Sequence, residues 1–165
     1  MCEEPMQRRN RKSEGHRINH FITAMMACGC RFDSSEVPVF LKQGNLEFWE
    51  GEFRYQPAQI SLKGKVTLDH DFITLKTMYD MSRKKFKKFR EEVHLLLTTN
   101  QCHYYAEPHP EDEEMLTLNI TKYIYSYEPP VEMMSVALNM VARSIRELTE
   151  ARKNDFRDFR PKHPI

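Results

Sequence analysis

Four residues near the start of the chain could bind a metal. His16 and His20 stand four apart, and Cys28 and Cys30 follow, a mixture of imidazole and thiol that suits zinc. At 100° per residue, however, a helix through this stretch carries the histidines on the side opposite Ile18 and Met25, while Cys28 lies near the apolar edge. The spacing matches no standard finger, so the expectation is solvated histidines, packed thiols and no metal. Asp69-His70-Asp71 is the most suggestive acid–base cluster, a histidine between two carboxylates. Neighbours in a tight turn seldom point together, and a polar hairpin tip accounts for the triplet. No nucleophile elbow, Gly-rich phosphate loop or H-E-x-x-H occurs, and the chain has only five glycines. No catalytic residue and no cofactor are assigned, and the expected class is non-enzymatic.

Binding chemistry is better represented. The run Arg83-Lys84-Lys85-Phe86-Lys87-Lys88-Phe89-Arg90 interleaves cations with aromatics in a way that suits phosphates and bases. A helical projection puts Phe86 and Phe89 on the stripe of Val93 and Leu97, leaving Lys84, Lys87 and Lys88 outside. Together with the basic tail around Arg8, Arg9, Arg11 and Lys12 it supports an alternative function, a nucleic-acid-binding accessory protein. In the stretch 115–127, Leu116, Leu118, Ile120 and Ile124 alternate with Thr117, Asn119, Thr121, Tyr123, Tyr125 and Tyr127. The first set reads as core, and the second as a solvent face, polar at one end and tyrosine-rich at the other, suited to contacts that tolerate both water and burial. Near the C-terminus, Met133 and Met140 widen the apolar arc of a helix beyond what one sheet face needs. The candidate partner-binding residues are therefore Tyr123, Tyr125, Tyr127, Met133 and Met140.

The elements that must position these residues follow from periodicity. A first helix, capped near Ser13, carries Ile18, Phe21, Ile22, Met25 and Met26 on one side and stops at Gly29. A strand-rich region spans 37–79. There, Ile60, Leu62, Val66 and Leu68, the polar Asp69-His70-Asp71, and Ile73, Leu75, Thr77 and Tyr79 read as a hairpin. The stretch 46–55 looks extended, with an apolar phase switch at Glu50-Gly51 that predicts a bulge or turn. A second helix runs 82–99 with Asn100 as its left-handed stop, two strands cover 101–106 and 115–126, and Pro129-Pro130 opens a last helix presenting Met134, Leu138, Val141, Ile145 and Leu148 inward.

With 165 residues and 40% hydrophobic content the chain suits one core. The expected organisation is a basic tail over 1–12, one α+β domain over 13–154 and a C-terminal tail over 155–165. A net charge of +1 gives no global field to draw in nucleic acid or an acidic membrane. The basic N-terminus leads into no apolar signal region, and no run of apolar residues is long enough to span a bilayer. Four cysteines without a secretory signal read as reduced thiols, and the expected location is cytoplasmic.

The layout of helix, about three strands, helix, two strands and helix resembles that of type III secretion chaperones and the YbjN family of bacterial regulators. The resemblance covers 13–154 and is carried by the order of elements, by Leu96-Leu97-Thr98-Thr99-Asn100 closing the middle helix, and by the last helix after Tyr127-Glu128-Pro129-Pro130. Because the strands alternate apolar and polar residues, the expected fold is an antiparallel sheet of about five strands covered on one face by three helices, in the order α-β-β-β-α-β-β-α. The resemblance implies a small, non-enzymatic protein, chaperone-like or a regulatory adaptor, that offers apolar surface to a protein partner, and the excess of amphipathic surface makes a homodimer the expected state.

Overall fold

A computed structural model describes residues 4–32, 39–43, 46–56, 61–68 and 72–157; of 4–15 and 39–49 only the backbone is described. Among the described residues the chain forms α1 (Glu4–Ala27), β1 (Cys30–Phe32), β2 (Val39–Gln43), β3 (Leu46–Tyr55), β4 (Leu62–Leu68), β5 (Ile73–Ser82), α2 (Arg83–Lys88), α3 (Arg90–Thr99), β6 (His103–Pro108), β7 (Met115–Ile124) and α4 (Val131–Lys153). The class is α+β, as expected, with seven strands rather than five and four helices rather than three.

All strand pairs are antiparallel, in the order β1-β3-β4-β5-β7-β6, and β2 also pairs with β3. β1 lies opposite Phe53 to Tyr55 and β2 opposite Leu46 to Glu50, so the two short strands sit end to end along one edge of β3. This arrangement replaces the bulge expected at Glu50-Gly51. β3 runs unbroken against β4 from Trp49 to Tyr55, and what changes at Gly51 is the partner on its other side.

Alternation turns one face of this sheet into the core. Cross-strand rows such as Phe53, Gly64, Thr77, Ile120 and Tyr104, or Leu68, Ile73 and Ile124, point the same way. Against them pack Ile18, Phe21 and Met25 of α1, Val93, Leu96 and Leu97 of α3, and Met134, Leu138, Val141 and Leu148 of α4. Gly64 is required in this layer, because a Cβ there would stand 2.8 Å from both the Phe53 ring and the Lys76 carbonyl oxygen. Tyr55 crosses the layer to donate its hydroxyl hydrogen to Asn139 Oδ1 of α4 at 2.6 Å.

Several boundaries differ from expectation. α1 begins at Glu4, nine residues before Ser13, through the stretch read as a tail. It ends as expected at Gly29, whose φ of +96° glycine adopts without strain. Ser82 caps α2 by accepting the Lys85 N–H, but the helix breaks at Phe89, where φ is −113°. The break coincides with Phe89 packing on Phe156, ring centroids 4.8 Å apart. Phe156 is thus buried core and not tail, held by a turn in which Asp155 and Phe156 both take positive φ. The left-handed residue after α3 is Gln101, one position beyond Asn100. No described helix is long and apolar enough to cross a membrane.

Candidate functional site

The opposite face of the sheet carries no described helix. By register its rows are Arg31, Arg54 and Lys63; Met78, Asn119 and Tyr105; then Glu52, Lys65, Lys76, Thr121 and His103; then Glu50, Thr67, Thr74 and Tyr123. Tyr123 stands at the centre of an aromatic group. Phe72 meets it edge-on at 5.8 Å, His103 edge-on at 5.3 Å, and Tyr125 stacks on it at 6.2 Å. Tyr125 is 78% exposed, and Met78, 66% exposed, and Tyr105, 52% exposed, add apolar surface on the same side.

Leu118 and Ile120 are buried and Tyr123 is half-exposed, so the strand phase read from the sequence holds. Thr117, Asn119 and Thr121 were expected to face water and do not; Asn119 is only 1% exposed. Longer side chains of the two flanking strands close over them. Thr117 donates to Asp80 Oδ1 at 2.7 Å and Asn119 to Glu107 Oε1 at 2.8 Å. Above them Lys76 of β5 reaches across β7, its ammonium 3.3 Å from the Tyr105 hydroxyl of β6 and 5.6 Å from that ring's centroid. A central strand with short polar side chains is thereby buried beneath its neighbours' long ones, and Thr117 and Asn119 are paired, as burial requires.

Charge on this face is ordered. Lys65 pairs with Glu50 at 2.6 Å, while Arg31, Arg54 and Lys63 form a basic row at one corner. Acidic groups gather at the end near Asp80 and the 107–114 loop. His109 holds that loop, its Nδ1 accepting the N–H groups of Glu111 and Asp112, which leaves Nε2 as the protonated nitrogen, 3.6 Å from Asp80 Oδ2.

The remaining candidates lie elsewhere. Tyr127 turns towards α1: Arg17 stacks on its ring at 4.2 Å and donates to its carbonyl oxygen at 2.7 Å. Met133 (44% exposed) and Met140 are on α4, across the sheet from Tyr123 and Tyr125. The five residues proposed as one surface are therefore divided by the sheet. His16 and His20 are exposed, Cys30 is buried, and no group of three or more metal-binding side chains occurs among the described residues. Burial, then the neighbouring Cys28, pushes the Cys30 thiol up to about 12, and burial raises Cys28 and Cys102 as well. These are protonated, poorly nucleophilic thiols. In α2, Lys84, Lys87 and Lys88 are exposed and Phe86 and Phe89 pack towards the core, as the helical projection required. The side chains of Arg8 to Lys12 and the triplet Asp69-His70-Asp71 lie outside the described residues.

Sequence reading missed Phe72, Met78, His103 and Tyr105. Met78 and Lys76 were legible as the outward phase of the β5 alternation; Phe72 and His103 sit at strand ends, where alternation gives no signal. Comparisons with family models, with curated proteins and with solved structures return no match.

Proposed function

We propose that this chain is a non-enzymatic protein-binding module whose recognition surface is the helix-free face of the sheet. One observation carries the reading: the aromatic group of Phe72, His103, Tyr123 and Tyr125 stands on a rigid sheet, exposed and flanked by Met78 and Tyr105, with all the described helices engaged on the other side. Rigid amphipathic rings lose little side-chain entropy on binding and tolerate partial burial. The chaperone-like or regulatory role and the cytoplasmic location are carried forward as part of this proposal.

A photo-crosslinking residue placed at Tyr125 or Met78 in the full chain, expressed in its own cells, tests it. The expected result is a discrete protein adduct from either position and none from Met133. Adducts from Met133 alone would move the interface to α4. The nucleic-acid alternative has one observation of its own, the basic row of Arg31, Arg54 and Lys63 at one corner of the same face. Mobility-shift titration with single-stranded RNA would favour it if sub-micromolar binding weakened steeply with salt.

A further inference from the structure

β6 is the last strand of the sheet, and no described strand pairs with its outer edge. Its hydrogen-bond frame can be read from its end. The His109 N–H donates to the Met115 carbonyl at 3.2 Å, and position 109 lies opposite 115 in the register that pairs Pro108 with Leu116. Hydrogen-bonded pairs recur at every second position of an antiparallel ladder. His103, Tyr105 and Glu107 therefore spend their backbone groups on β7, while Tyr104 and Ala106 direct theirs to the open edge. Ala106 is exposed, while Tyr104 is half-buried against α3, its hydroxyl 2.9 Å from His94 Nδ1.

We propose that β6 pairs antiparallel with β6 of a second copy of this chain, centred on Tyr105. In that register Tyr104 lies opposite Ala106 of the other copy, and their outward N–H and carbonyl groups exchange four hydrogen bonds. Centring on Tyr104 gives only the two bonds of a single pair, and centring on Ala106 leaves both Tyr104 carbonyl groups without a partner, because Pro108 opposite has no N–H. Side chains complement one another in the same register. On the helix-free face Glu107 meets the copy's His103 and Tyr105 meets its own equivalent, both arrangements that favour cross-strand pairs. On the core side the large Tyr104 faces the small Ala106. Pro108 falls outside the paired segment and limits its length. The resulting two-fold contact joins two sheets into one and makes their helix-free faces continuous. It does not depend on what those faces bind.

Light scattering of the full chain, together with register-specific cysteine pairs, tests the proposal. At the two-fold axis Tyr105 forms a non-hydrogen-bonded pair with Cα atoms about 4.5 Å apart, within disulfide reach. Mild oxidation should link Tyr105→Cys into dimers, link the double variant His103→Cys/Glu107→Cys, and leave each of those two single variants unlinked. Ala106→Pro, which removes two of the four bonds, should weaken dimerisation about tenfold or more while the circular dichroism spectrum stays unchanged. A wild-type protein that stays monomeric at the highest concentration reached overturns the pairing and leaves the protein-binding reading standing. So does a dimer in which Tyr105→Cys stays unlinked, or one linked through Tyr125→Cys instead.

Discussion

The two faces of the sheet are made from the same strands and differ in what completes them. On one, Val66, Ile73, Leu75, Leu118 and Ile120 are shielded by residues from α1, α3 and α4. On the other, the strands shield themselves: Lys76 and Tyr105 span β7, and Thr117 and Asn119 are paired with carboxylates from the strands on either side. Burial on the first face removes whole apolar side chains from water, each contributing about 1.5–3 kcal/mol. Burial on the second conceals small polar groups whose hydrogen bonds each contribute about 1 kcal/mol net. Stability should therefore reside on the helix-covered side, leaving the helix-free side to change its chemistry at little cost to the fold.

Substitutions can break or sharpen that contrast. Leu75→Ala, beneath the helices, should lower stability by about 2–5 kcal/mol in urea unfolding. Gly64→Ala is expected to cost about 1–3 kcal/mol, since the added methyl meets both the Phe53 ring and the Lys76 carbonyl; a neutral result would show that the sheet yields there. Asn119→Leu tests the self-shielding: the Glu107 carboxylate loses its partner but stays open to water, and a loss of about 0.5–1.5 kcal/mol is expected. Tyr125→Ala should fall within about 0.5 kcal/mol of wild type while abolishing any adduct formed at Met78. If Tyr125→Ala destabilises as much as Leu75→Ala, the division between the faces fails.

Alkaline pH probes the covered side alone. The Cys30 thiol, raised from 9.0 to about 12 by burial and then by Cys28, stays protonated in the folded protein while the unfolded chain ionises near the ordinary value. Its contribution is fully present below pH 9.0 and is lost as pH rises from there towards 12. Comparing wild type with Cys30→Ala over this window isolates it: the variant should show the shallower decline, and equal slopes would mean that Cys30 is not held neutral by burial.

Much of the covered side was legible in the sequence. Ile18, Phe21 and Met25 recur at helical spacing, Leu118, Ile120 and Ile124 at strand spacing, and Pro129-Pro130 and Gly29 mark ends by backbone chemistry alone. The outer face was legible only as alternation. Nothing local to Thr117 or Asn119 says that Asp80, thirty-seven residues from Thr117, or Glu107 will supply their partners. The break at Phe89 has no glycine or proline to announce it and coincides with a contact from Phe156, far along the chain.

The sequence by itself determined most of the helices and strands and which side of each is apolar, because those properties depend on neighbours one to four positions away. Tertiary structure alone decided that Tyr123 and Tyr125 share a surface with Phe72 and His103 and not with Met133 and Met140, and that β6 lies at an edge. Both outcomes rest on strand order and on which sheet face the helices take. Those follow from contacts between residues distant in the chain, which local spacing does not encode.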